Sequence, residues 1–354
     1  MSKTGVATGL VSILISKDGS ITMKASLLSA LLTVGISQAA IAEPAMPLAE
    51  AIAQRGLSSG EGHTGLHSLC DLTMTMRVAG QRPAGADNHR HEHREERTPP
   101  EAMPTRVFDN LYFLGHRGVT SWAITSDEGI VLIDTMNNDE EAKAFIEQGL
   151  IALGLDPNDI THLIITHAHG DHYGGQQYLV DNFTPRVLMA DADWAALEQE
   201  ELSVSNPRWG EPPLRDITVA DGDVLSLGDT DISMYVTPGH TAGTLSLIFP
   251  VHDGNDTHYV GLWGGTGFNF GPDEARLREY SASGARFRHL AAAANVDVFL
   301  SNHARRDNSI ERIELLTQRA SDEPHPFVND DALGAFDLFS DCALAQAERL
   351  RAER

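Results

Sequence analysis

The stretch His167-Ala168-His169-Gly170-Asp171-His172 puts four potential metal ligands within six residues. It follows the apolar run Leu163-Ile164-Ile165, which reads as a short buried strand. The ligands are therefore expected on the loop leaving that strand. A loop can turn imidazoles and a carboxylate toward one point, whereas a helix would turn His169 away from His167 and Asp171. Gly170 is expected to let the backbone bend there. Imidazoles with a carboxylate companion point to zinc. Three histidines and one aspartate fall short of two complete sites, so further ligands are expected after other strands. The candidates are His240, which ends the run from Ile232 to Gly239, and His303, which follows Val298 to Asn302.

The H-x-H-x-D-H motif, with Thr237-Pro238-Gly239-His240-Thr241-Ala242-Gly243-Thr244 downstream, resembles the metallo-β-lactamase superfamily of zinc hydrolases. The resemblance runs from near Phe108 to about Cys342. It implies an α/β fold, the αββα sandwich of that superfamily, with the metals at one edge. It also implies two zinc ions per chain, the first on His167, His169 and His240, the second on Asp171, His172 and His303. Three protein ligands per zinc leave positions open for water and substrate, as catalytic sites do. Asp134, at the end of the strand Ile130–Asp134, matches an aspartate that supports the metal loop by hydrogen bonding in that superfamily. Zinc lowers the pKa of water from about 15.7 to roughly 7, so the implied chemistry is attack of a zinc-bound hydroxide on a carbonyl. Asp171 would hold the second zinc and orient that water.

What is absent narrows the resemblance. Glyoxalase II and the tRNA-processing nucleases of this superfamily carry a metal-bridging aspartate before the last histidine, and other metallo-β-lactamases carry a cysteine ligand there. Residues Leu262 to Asn269 contain neither. The remaining Asp, His, His pattern is most similar to the third subclass of class B β-lactamases. That subclass has substrate-binding serines where this chain has Gly264 to Asn269; Thr266 and Asn269 are the candidates to replace them. His116, on an early loop, is a further candidate substrate contact. His162 reads as a surface or packed histidine, and Trp122, Tyr173 and Trp263 as core. The subclass's cysteine partner for the late helix would fall near Val296. Whether Cys70 and Cys342 pair is left open by the sequence.

Three readings follow. One is β-lactam hydrolysis. Another is hydrolysis of a different cyclic amide, lactone or ester, such as an acyl-homoserine lactone. The third is non-catalytic zinc binding or scavenging through the His89–His93 tract. The chain has 354 residues, with 26 Lys and Arg against 50 Asp and Glu, a net charge of −24. That excess argues against a nucleic-acid partner and leaves a small-molecule substrate. Oligomeric state is not legible.

Residues 1–42 read as an export region, predicting a periplasmic or secreted protein. Met23-Lys24 is the expected true start, Ala25–Gly35 the apolar stretch, and Ala40-Ile41-Ala42 a cleavage site. The stretch is too short to span a bilayer, and no membrane span is expected in the mature chain. Residues 43–103 read as a partly disordered extension, with a polar linker around Asn88–Arg97 and a small packed element from Leu66 to Met76. Residues 104–354 are the expected hydrolase domain.

Overall fold

The computed structural model describes residues 45–78, 103–320 and 322–354. The proposed export region and the His89–His93 tract lie outside them.

Two sheets carry the domain. The first has seven strands in the order β1 to β7. These are β1 (Thr105–Phe108), β2 (Leu111–Gly115), β3 (Thr120–Ser126), β4 (Gly129–Ile133), β5 (Ile160–Ile164), β6 (Arg186–Ala190) and β7 (Ile217–Val219). Neighbours from β1 to β4 are antiparallel, and those from β4 to β7 parallel. The second comprises β8 (Val224–Leu227), β9 (Thr230–Val236), β10 (Leu245–Asp253), β11 (Asp256–Trp263) and β12 (Val298–Ser301), in the order β12-β11-β10-β9-β8. Only its β11–β12 pair is parallel.

Alternation along the strands assigns side chains to layers, because successive residues of a strand point to opposite faces. Val131 and Ile133 of β4 join Ile164, Leu247, Leu262 and Leu300 in a core between the sheets. Ile130 and Leu132 face the other way, with Leu163, Leu150, Leu179 and Trp194. Phe299 of β12 turns out toward Phe287, Phe336 and Phe339 of two long helices, Glu274–Ala293 and Gly334–Ala352. The result is the expected αββα sandwich. β1 and β7 were not anticipated: four and three residues are too few to show a period. The helix that follows β6 spans Asp191–Leu197.

Residues 45–78 pack on the domain rather than standing apart from it. Helix Ala45–Ser59 buries Ala49, Ile52 and Ala53, spaced for one helix face, against the C-terminal helix. Small residues make that face, so it carries little apolar signal in sequence. Arg55 pairs with Asp341 at 2.5 Å. A 3-10 turn, Thr64–Cys70, follows, and Cys70 forms a disulfide with Cys342. The pairing left open by the sequence is thus present, with Cys70 in the place of the partner sought near Val296. No helix among the described residues is long and apolar enough to cross a membrane.

Candidate metal centre

β4, β5 and β6 run parallel, and β9, β11 and β12 share one direction within the second sheet. The loops leaving these strands carry every residue of the site, as expected for α/β sheets that bind ligands beyond their carboxyl ends. His167 and His169 follow β5, His240 follows β9 and His303 follows β12. His167 Nε2 lies 3.1 Å from His169 Nδ1 and 3.1 Å from His240 Nε2. Asp171 Oδ2 lies 3.6 Å from His172 Nε2 and 4.0 Å from His303 Nε2. Within each triad the ligand atoms are within 4.8 Å of one another. The two triads are adjacent, with the His167 and His172 rings 4.2 Å apart.

The expected loop is only half a loop. Gly170–Tyr173 forms one helical turn carrying Asp171 and His172, while His167 lies in the bend before it and His169 precedes the turn in extended backbone. The turn divides the motif between the two triads. Gly170 serves close packing rather than bending: a Cβ there would come within 2.5 Å of the Trp209 side chain.

The second nitrogen of four histidines is engaged, which fixes ring orientation and tautomer. His172 Nδ1 donates to Asp134 Oδ2 at 2.7 Å, His240 Nδ1 to the Gly267 carbonyl at 2.9 Å and His303 Nδ1 to the Gly118 carbonyl at 2.7 Å. Thr166 settles His167. Its hydroxyl donates to Asp134 Oδ2 and accepts from Asn302 Nδ2, so it meets His167 Nδ1, 3.1 Å away, as an acceptor. His167 Nδ1 therefore carries the proton and Nε2 is bare.

Burial sets the protonation of the first triad. It pushes His167 and His240 well below the usual imidazole value and His169 down to about 4. Burial likewise lowers His303 to about 4. Burial alone would raise Asp171, but the neighbouring histidines outweigh it and hold the carboxyl down to about 2. His172 departs from the pattern. Burial lowers it, yet Asp171 and Asp134 raise it above the usual value, because a cation beside two carboxylates is favoured.

These residues fit metal ions. Neutral histidines and an ionised aspartate are the forms that coordinate. The 3.1 Å contacts between ring nitrogens match the edge of about 3.3 Å expected for tetrahedral zinc with bonds near 2.05 Å. His172 Nε2 is buried with no hydrogen-bond partner, a costly arrangement unless an ion or proton takes the position.

Several supporting residues were not legible in the sequence. Asp193, two residues beyond the first position after β6, accepts hydrogen bonds from both metal loops. The Arg276 guanidinium donates to the Gly239 carbonyl at 2.6 Å and to the His240 carbonyl. Trp209 stacks on His169 at 6.3 Å. The only available signal was for Asp193, an acidic residue at a parallel strand's end.

Other candidates are placed differently from one another. His116 stays outside both triads: its Nδ1 accepts from Gly118 N–H, which shapes the loop contacting His303. Thr266 is buried and accepts from the Ser301 hydroxyl. Asn269 lines a cavity of ≈ 630 Å³ beside His169, together with Arg276, Phe270 and Leu197. Gly264 and Gly265 leave no room for serines: a Cβ would meet the Leu245 carbonyl at 1.8 Å or His240 Cβ at 2.5 Å. Trp122, Tyr173 and Trp263 are core, as expected.

Fold and site together define a sandwich domain with two histidine-rich triads at one edge, suited to paired metal ions. Residues 114–254 match the family model of the metallo-β-lactamase superfamily. Among solved structures, the Rm3 metallo-β-lactamase is 27% identical, with 67% of this chain and 90% of that one covered at a TM-score of 0.56. BJP-1, a subclass B3 metallo-β-lactamase of Bradyrhizobium japonicum, is 25% identical over 66% and 89% of the two chains, at 0.51. MEM-A1, a subclass B3 enzyme from a soil metagenome library, is 25% identical over 72% and 97%, at 0.57. Curated relatives include a hydroxyacylglutathione hydrolase of Rhodopseudomonas palustris, 31% identical over 28% of this chain and 33% of that protein. Another, from Pseudomonas syringae pv. syringae, is 26% identical over 39% and 55%. The chain thus spans about a third to about half the length of these relatives. The superfamily's members are metallo-hydrolases, and these neighbours and relatives are named as hydrolases or β-lactamases.

Proposed function

We propose that the chain is an exported, dinuclear zinc hydrolase that opens a β-lactam ring. The observation that carries this reading is the second triad, Asp171, His172 and His303, in a site where Leu262 to Asn269 offer no carboxylate. The subclass B3 descriptions of similar structures support it. Export is supported by the Cys70–Cys342 disulfide, since such bonds persist in oxidising compartments.

His167, His169 and His240 would hold one zinc, and Asp171, His172 and His303 the other. When bound, zinc makes hydroxide available near neutral pH and polarises a carbonyl oxygen. The chain's own residues do the rest. Asp171, which its neighbouring histidines keep ionised across the neutral range, would help hold the second zinc and orient a water there. Asp134 holds the His172 ring, and Thr166 keeps the proton of His167 on Nδ1. Asn269, on the cavity wall, offers an amide to the substrate.

A second reading is favoured by the curated relatives, which are hydroxyacylglutathione hydrolases. In it the same centre cleaves an ester-type or lactone acyl group. The purified protein should be assayed with a chromogenic cephalosporin, hydroxyacylglutathione and an acyl-homoserine lactone, each with and without chelator. Chelator-sensitive cephalosporin turnover supports the first reading. Turnover confined to either other substrate replaces it with the second. Zinc binding without turnover of any of the three overturns both in favour of a non-catalytic zinc protein.

A further inference from the structure

We infer that Asp193 is a positioning residue that sets the geometry of the first triad by tying the two loops that carry it. The inference rests on the metal-centre reading above, but not on the identity of the substrate. Asp193 lies in the helix Asp191–Leu197, is 1% exposed and belongs to neither triad. Its Oδ2 accepts the Ala168 N–H at 2.8 Å and the Thr241 hydroxyl at 2.7 Å. Its Oδ1 accepts the Gly243 N–H at 2.7 Å. Ala168 sits between His167 and His169, and Thr241 follows His240. One buried carboxylate thus spans segments 73 residues apart at His167 and His240.

The downstream motif is built around this carboxylate. A Cβ on Gly243 would fall 2.7 Å from Asp193 N and 2.8 Å from its carboxyl carbon, so glycine is needed for the approach. Thr241 and Thr244 share a hydrogen bond of 2.7 Å, and Thr244 Oγ1 also accepts from Thr241 N–H. Thr244 therefore orients the hydroxyl that Asp193 receives. Arg276 also holds this loop, through the Gly239 and His240 carbonyls. The Asp193 carboxylate is acceptor-only, and three donors converge on it. An amide of the same size fails that count: with its oxygen toward Ala168 and Thr241, its NH2 faces the Gly243 N–H, donor against donor. The alternative flip sets the NH2 against the Ala168 N–H.

The test compares zinc affinities of the wild type, Asp193→Asn and Thr241→Val by chelator competition, with Co(II) absorption spectra of each as a second readout. In Asp193→Asn, affinity at the first triad is expected to fall about 10–100-fold, with the second triad unchanged and an altered Co(II) spectrum. Thr241→Val removes one donor only, and about tenfold is expected. A folded Asp193→Asn with both affinities and its spectrum unchanged overturns the inference. If Asp193→Asn does not fold, an unchanged first-triad affinity in Thr241→Val overturns it instead. Wild-type protein that binds no zinc overturns this inference and the metal centre together, whereas zinc binding without hydrolysis of any assayed substrate removes only the activity.

Discussion

Asp134 Oδ2 accepts a hydrogen bond from His172 Nδ1 at 2.7 Å, and both side chains are fully buried. Asp134 stands just beyond β4 with φ +63°, in the left-handed region that aspartate tolerates better than most residues. From there its Oδ1 accepts Thr166 N–H and its Oδ2 the Thr166 hydroxyl, so one carboxylate reaches both triads. Asp134→Asn keeps the shape but supplies a donor where only acceptors fit. Affinity for the second metal is expected to fall about 10–100-fold, as for other residues that orient a ligating histidine. Competition with a chromophoric chelator measures it, and an unchanged affinity would show that His172 needs no such support.

Asp171 and His240 belong to different triads, and each supplies one ligand atom while standing outside the hydrophobic core clusters. Asp171→Ala and His240→Ala are each expected to lower hydrolysis at least about 100-fold while the far-UV and near-UV circular dichroism stay native. Metal content should drop from two ions toward one. Full activity in either variant would remove that residue from the centre.

Why the centre was legible while its supports were not follows from the chemistry of the residues. Ligand types are few, and His167 to His172 concentrates them in one run, so the candidate ligands could be read from strand ends, while their division into triads came from the family resemblance. Asp193, Arg276 and Trp209 act through contacts to loops far away in sequence, and apart from Asp193's place shortly after a parallel strand nothing in the local pattern distinguishes them from surface residues. The layers were expected from the family resemblance that the motifs carry, not from the patterns of single strands. β7, three residues long, depends on pairing with β6 rather than on its own pattern. The N-terminal helix was missed because Ala49 and Ala53 bury little apolar area despite their close packing.

Acid should destabilise the chelator-treated protein as its buried histidines are asked to take protons, an effect that the buried Asp307 carboxyl, pushed up to about 6, opposes only between about 6 and 3.8. His169 and His303 are neutral in the folded chain down to about 4, whereas an unfolded histidine gains its proton near 6.5. Between those values the unfolded chain binds more protons, so stability falls as pH falls. Each such histidine contributes a slope approaching about 1.4 kcal/mol per pH unit in that window. His167 and His240 act in the same direction, and His172, whose value is raised, opposes them. Asp171 adds a further loss only below 3.8, toward about 2. Urea midpoints from pH 7 to pH 4 are expected to decline steadily, and a flat profile would contradict the burial of neutral imidazoles.

The Cys70–Cys342 bond closes a loop with a sequence separation of 272 residues, so it removes much of the freedom of the unfolded chain. It also fixes the 3-10 turn Thr64–Cys70, where Arg306 donates to Ser68 Oγ at 3.0 Å and Asn308 to Thr64 Oγ1 at 3.1 Å. Arg306 and Asn308 lie just after His303, so the N-terminal segment braces the loop that carries a second-triad ligand. Cys342→Ser is expected to cost about 2–5 kcal/mol of unfolding free energy. Because the brace touches one triad only, the same variant should weaken the second metal more than the first. Paired urea titration and chelator competition test both parts, and equal weakening of the two metals would limit the disulfide to global stability.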